Sequence, residues 1–416
     1  MNRMFAQMVL EENPTGDRIA DDAIKTAKLF GTLSAASDSE VTRAPGLILT
    51  KEQIINLKHY EIEALALPIR IEDVITYLGY SEAMATGLEP DDFLKSFSLI
   101  HKHAQRWDPL RNDLLAIGSK LKVFAGQMLV YGKGMDEIND DIKSARIVEA
   151  HDIKTLEDVK RLHLELGDTF PGIELDDEDK TTARDIQAYL AEILAIVRRN
   201  LEDTQTIKVA LDQFGLDLST HVKPEIQRKV AAIESNSLPA DVARLSAAIE
   251  QRSKDIDEKN AEYKASVEQS LSSLGKFNVV GLALSIYFGV EAEGVRNARN
   301  ELQGQQARDI EALQHKDAVL GLLNKVKFKL QNLVTIVIDA DVATKNLITV
   351  WNTLFLYIES SAQHSSDISD ALTLRTFMLR FRQVVKPWEA IEHDANALLN
   401  VFKEADEEYK RIYGDL

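Results

Sequence analysis

Cysteine is absent from this 416-residue chain, which excludes disulfides, thiolate metal ligands and thiol nucleophiles. Proline is scarce, with nine residues, and none falls between Pro239 and Pro387, where helix breaking would otherwise be expected. A basic excess is also lacking: 49 Lys and Arg against 67 Asp and Glu leave a formal net charge of −18. That balance argues against a nucleic-acid partner, which needs clustered cations for phosphate, and against simple electrostatic adhesion to anionic lipid. No run of eighteen or more charge-free apolar residues occurs, so no ordinary transmembrane helix is expected. The segment Met1 to Pro14 mixes Met and Leu with Glu11 and Glu12 and lacks the basic start and continuous apolar stretch of a secretory leader.

What the chain has instead is 45% apolar residues and a usage dominated by Ala, Leu, Glu, Lys, Gln and Asp, which suits long helices. The first forty-odd residues read as weakly helical and end in a loop near Ser37 to Pro45. Thr50 is placed to N-cap a helix, with Gln53 returning the capping-box hydrogen bond. A short helix from Ile71 to Leu78 should stop at Gly79. Gly87 to Pro90 reads as a turn, with Asp91 or Asp92 capping the next helix. From Pro109 a longer helix carries Leu114, Ile117, Leu121 and Phe124, and Gly132 and Gly134 should interrupt or slacken it. The acidic stretch Glu174 to Asp179 reads as a loop that supplies an N-cap.

Beyond Ser237, a plausible N-cap, Leu238, Val242, Leu245, Ile249, Ile256, Tyr263, Val267, Leu271 and Leu274 step by three, four or seven. This is a narrow coiled-coil seam. Val295, Leu302, Leu313, Leu320 and Leu323 form a second seam. Each helix should be about 35 residues and ~50 Å long, so that the antiparallel pair projects beyond the body. Two amphipathic stretches, around Leu347 to Ile358 and Leu379 to Phe402, close the chain.

Between the seams lies LSSLGKFNVVGLALSIYFGV, residues 271 to 290, with no charge from Phe277 to Val290. An all-apolar helical segment needs protein or lipid around it. The candidate membrane-facing residues are Leu271, Leu274, Phe277, Val279, Val280, Leu282, Leu284, Ile286, Tyr287, Phe288 and Val290. Gly275, Gly281 and Gly289 are the candidate turn or hinge residues. Ten residues per leg reach only ~15 Å, so the patch would dip into one leaflet rather than cross two. Periodicity alone leaves two other readings open: an internal core segment, or a knob that docks a protein partner.

No chemistry-bearing constellation stands out. His101 and His103 are two apart and diverge on a helix, and the other histidines are scattered singly. Gly132-Lys133-Gly134 lacks the rest of a phosphate loop. The stretch Glu174 to Asp179 lacks the alternating ligands and turn glycine of a calcium loop, and no nucleophile elbow or zinc-helix motif is present. No enzymatic activity, cofactor or metal is therefore expected.

Two groups of residues carry a family resemblance. One runs from Thr50-Lys51-Glu52-Gln53 through Gly79-Tyr80, Gly87-Leu88-Glu89-Pro90 and the neighbourhood of His101, His103 and Trp107. The other comprises Leu374-Arg375-Thr376-Phe377, Val385-Lys386-Pro387-Trp388 and Tyr409-Lys410-Arg411-Ile412-Tyr413-Gly414. In this order and spacing, from about residue 45 onward, the chain resembles the A component of the binary α-xenorhabdolysin toxins of enteric and insect-pathogenic bacteria. The resemblance implies an all-α, cytolysin-A-like fold: an elongated helical bundle with a long antiparallel coiled-coil neck ending in a hydrophobic hairpin head. It implies a secreted, soluble monomer that engages a target-cell membrane and joins a B component in a hetero-oligomeric ring. In that family the B subunit lines the pore and the A hairpin supports it. The neighbourhood of Pro387 and Trp388 is read as bundle packing. The expected organisation is an N-terminal segment over 1–44, tail and neck helices over 45–236, a hairpin over 237–325 with its tip at 271–290, and helices over 326–416 that return to the tail.

Overall fold

The computed structural model describes residues 16–35, 44–47, 49–81, 87–234, 239–273, 290–365 and 368–413. Thirteen α-helices carry these residues: α1 (Arg18–Ala35), α2 (Lys51–Leu65), α3 (Ile71–Leu78), α4 (Pro90–Ala104), α5 (Trp107–Asp141), α6 (Lys143–Ala150), α7 (Leu156–Leu166), α8 (Asp177–Asp217), α9 (Lys223–Glu234), α10 (Ala240–Ser273), α11 (Val290–Gln314), α12 (Ala318–His364) and α13 (Ala371–Tyr413). Among the described residues the sole β pairing is a bridge between Glu174 and Asp370. The all-α expectation holds.

Local chemistry fixes most helix ends. Thr50 accepts from the Gln53 backbone N–H, and the Gln53 side chain accepts from Thr50 N–H at 2.9 Å, the anticipated capping box. Gly79 closes α3 at φ +77°, a backbone state that costs a β-carbon. The cap before α4 is Glu89, not Asp91 or Asp92, because Pro90 takes the first helical position and draws both aspartates into the first turn. Asp176 caps α8 by accepting from Asp179 N–H at 2.8 Å. The carboxylate of Asp179, itself buried, accepts from the Lys143 and Ser144 backbone N–H groups and from Ser144 Oγ, so it caps α6 from outside. Burial alone would raise its pKa, but these hydrogen bonds outweigh it and hold the group below the usual carboxylate range.

The tail is built around α5, α8, α12 and α13, with α1 laid against α12 and α13. At its centre Trp351 and Trp388 stack at 5.9 Å, and the Phe124 ring stands edge-on to both at 5.0 and 4.9 Å. The Trp351 indole N–H donates to Thr204 Oγ1 at 3.1 Å. Trp388 is fully buried, so the Pro387-Trp388 motif does belong to bundle packing, and α13 runs through Pro387 without ending.

Gly132 and Gly134 do not interrupt α5. A β-carbon on Gly132 would stand 3.1 Å from Val385 of α13, and one on Gly134 would stand 3.0 Å from the Tyr189 ring of α8. These glycines let neighbouring helices approach closely. One eighteen-residue window within 90–141 reaches a mean hydropathy of 1.2, apolar enough by composition to cross a membrane when up to two charges are allowed. Leu114, Ile117, Leu121, Phe124, Ala125 and Met128 in this stretch are buried in the bundle, while Val123 and Val130 are exposed, so one face of it belongs to the core.

The second seam does not run in one helix. Asp317 caps α12 by accepting from Leu320 N–H at 2.9 Å, so the chain turns at His315 to Asp317, and Leu320 and Leu323 open the next helix. Gly321 makes this turn possible, because a β-carbon there would lie 2.4 Å from Cα of Gln314. Backbone cannot yield as a side chain tip can, so G321V should cost about 1–3 kcal/mol or more. Urea unfolding of G321V at an unchanged m-value should report that loss, and a wild-type midpoint would contradict the packing described.

Candidate functional site

The candidate site is the segment that joins α10 to α11. The two helices are antiparallel, as the pairings Asp241–Lys316, Ile249–Gln306 and Arg252–Asp309 require. Leu271 lies in the last turn of α10, and Val290 opens α11. Leu274, Phe277, Val279, Val280, Leu282, Leu284, Ile286, Tyr287 and Phe288, with Gly275, Gly281 and Gly289, lie outside the described residues, as does the expected cap Ser237.

What leads to that segment is clear. Val242, Ile249, Ile256 and Tyr263 are buried at intervals of seven along α10, the anticipated seam. Four residues after each of the first three comes a small polar residue that is equally buried: Ser246, Ser253 and Asn260. These polar positions are answered from neighbouring helices. Gln331 Nε2 of α12 donates to Ser253 O at 2.9 Å and to Ser253 Oγ at 2.8 Å. Asn260 Nδ2 donates to Gln331 O at 3.5 Å, and Ser246 Oγ donates to Glu234 of α9. Lys327, almost wholly buried, pairs with Glu250, and Lys223 of α9 pairs with Asp257 at 2.6 Å.

The expected antiparallel pair of α10 and α11 is present, and it does not pack alone. Beside α11, α10 meets the first turns of α12 at Glu250, Ser253 and Asn260 and meets α9 at Ser246 and Asp257. The physical reason is the thinness of the seams. One apolar residue per heptad is too little for two helices alone, and a third helix completes the core. The α11 face contributes Val295, Ile310 and Leu313, and α12 contributes Leu320, Leu323, Leu333 and Ile336.

A second feature escaped the sequence. His103 of α4 is buried, and its Nε2 lies 3.0 Å from Phe214 O, a pure acceptor, so Nε2 carries the proton. Nδ1 then accepts from Tyr60 O–H at 2.7 Å, and the ring stacks on Phe214 at 4.2 Å. The wiring needs neutral imidazole. Burial pushes the His103 pKa below its ordinary value and Arg106 adds to this, against the opposing Phe214 carbonyl and Asp217. With the folded-state pKa depressed, the stabilisation is present above the unfolded pKa of about 6.5 and is lost as pH falls through it. Stability should therefore drop between pH 7.5 and 5, and H103Q, whose amide can still donate to Phe214 O, should flatten that part of the curve. An unchanged pH profile in H103Q would show that another group carries it. His101 is only half-buried and shares none of these contacts. Among the described residues no cluster of three or more His, Asp or Glu side chains is arranged to hold a metal ion.

No family profile matches the chain, and no curated protein matches it. Among solved structures, soluble SmhA from Serratia marcescens, of the tripartite alpha-pore forming toxin Smh, matches at a TM-score of 0.52. It is 11% identical, and the match covers 92% of this chain and 94% of SmhA. The chain has the fold of an α-pore-forming toxin component. It is also similar to YaxA from Yersinia enterocolitica, with 24% identity over 88% of this chain and all of YaxA, at a TM-score of 0.49. A chain of the XaxAB pore complex from Xenorhabdus nematophila is 26% identical over 88% of this chain and all of its own length, at a TM-score of 0.44. These are the likenesses to which the quoted motifs pointed.

Proposed function

We propose that this protein is one component of a pore-forming cytolysin, a soluble chain that engages a target membrane through residues 271–290 and assembles with a second, B-type protein. The observation that carries the reading is a mismatch. The segment from Phe277 to Val290 has no charge, yet it is joined to helices whose buried faces are narrow and half polar. Eight large apolar side chains in that stretch, at about 1.5–3 kcal/mol each on leaving water, amount to roughly 12–24 kcal/mol of gross driving force. A net charge of −18 argues against attraction to anionic headgroups as the alternative source. The toxin fold supports the reading.

In this mechanism the apolar segment enters one leaflet, Lys276 keeps its ammonium among the headgroups while its stem lies against apolar surface, and lateral assembly with the B-type partner forms the ring. The test is dye release from lipid vesicles and vesicle flotation, with this chain alone and with a candidate partner such as a long-helix protein encoded beside it. Flotation of the chain and release that requires both proteins are the expected results. A chain that stays in the aqueous fraction and never releases dye in the mixture would instead identify a scaffold whose apolar segment docks a protein.

A further inference from the structure

At the end of the tail where α5, α6 and α13 meet, a cavity of about 240 Å³ opens between them. At ~30 Å³ per water it has room for about eight waters, and it is smaller than a drug-sized pocket. One wall is apolar, formed by Val148, Met378 and Leu379. The polar lining is unusual in what it leaves unpaired. Of its charged groups, Arg382 is engaged by Asp136 at 2.6 Å and Asp152 by Lys154 at 2.8 Å. The half-buried Arg375 and the exposed Glu149 line the same cavity, and neither makes an ion pair among the described residues, with each other or with any other group. Asn139, only 5% exposed, lines the same cavity; its side-chain amide makes no hydrogen bond to another described residue and keeps its access to solvent.

An amide that no protein group engages is met by water in this cavity, and a ligand that displaced the water would have to replace its hydrogen bonds. The guanidinium of Arg375 presents a planar fork to a carboxylate or phosphate. The Glu149 carboxylate suits an ammonium. We propose that this cavity binds a small zwitterion, its anionic group on Arg375 and Asn139, its cationic group toward Glu149, and its apolar part on the wall of Val148, Met378 and Leu379. A solute with one charge would pair with only one of the two groups, so the pairing favours both charges together. The site is made by α5, α6 and α13 and does not involve residues 271–290, so it stands whether or not the toxin reading does.

Calorimetric titration of the full chain tests it, with phosphocholine and leucine as zwitterionic probes and with choline, acetate and inorganic phosphate as single-charge controls. One zwitterion or both should bind one to one at ~1 mM or below, at least tenfold tighter than any control. R375Q and E149Q, both at solvent-accessible positions, should keep the wild-type melting temperature and each weaken binding by ~10–100-fold, as loss of a charge-assisted contact does. Binding of neither zwitterion, equal binding of a single-charge control, or wild-type affinity in either variant would overturn the assignment. Flotation on phosphatidylcholine against phosphatidylglycerol vesicles then separates the sources. A preference for phosphatidylcholine that R375Q removes makes the ligand a lipid headgroup, and flotation indifferent to R375Q makes it a free solute.

Discussion

Aspartate placed together at Val280, Leu284 and Phe288 is expected to lower lysis by the toxin mixture at least a hundredfold, with no change in the helical content of the soluble chain. The reasoning is one of transfer energies. At the centre of a membrane helix an aspartate costs about 2.5–3.5 kcal/mol, and each apolar residue it displaces forfeits a further ~0.3–0.6 kcal/mol. Three such changes sum to roughly 8–12 kcal/mol at full depth. Even a third of that, as suits shallow insertion, is about 3–4 kcal/mol, which matches or passes the ~2.8 kcal/mol of a hundredfold loss. These positions lie in sequence between α10 and α11, apart from the described core residues. Dye release and haemolysis measure the outcome, and circular dichroism of the variant guards against misfolding. Lysis at wild-type level would remove residues 271–290 from the mechanism.

Truncation of Trp388 to alanine should have the largest effect on stability, about 3–5 kcal/mol. Its indole is fully buried between Phe124 of α5 and Trp351 of α12, so one truncation opens a void where three long helices meet. The indole N–H of Trp388 has no hydrogen-bond partner, so W388F should recover most of the loss by refilling the void without stranding a polar group. Guanidinium unfolding followed by far-ultraviolet dichroism checks both variants. A W388A chain as stable as wild type would mean that the three rings do not form the centre of the tail.

The features legible in the sequence are those whose cause is local. The Thr50–Gln53 capping box, the Gly79 stop and the seven-residue seam from Val242 to Tyr263 each depend on residues within a turn or two, and each stands as read. The misreadings arose where a distant helix decides. Gly132 and Gly134 look like interruptions until Val385 and Tyr189, from other helices, are seen against them. The turn at His315 to Asp317 carried a local signal, an aspartate three residues before Leu320 and four before Gly321, but the leucine spacing ran across it. His103 gave no signal, because Tyr60 and Phe214 come from segments 43 and 111 residues away. The unpaired group of Asn139, Glu149 and Arg375 was equally hidden, since α5, α6 and α13 assemble it.

The buried serine, asparagine and glutamine rungs of the neck have a consequence for how it can move. An aliphatic interface tolerates sliding, since one leucine replaces another at little cost. Here the amide of Gln331 is fitted to the carbonyl and hydroxyl of Ser253, and that of Gln306 reaches the carbonyl of Ile249. Displacing one helix along another by a single turn would set each amide against hydrocarbon, at about 1–3 kcal/mol per rung. Rearrangement of this neck is therefore steered away from gradual slippage and toward swinging as an indexed unit or parting altogether.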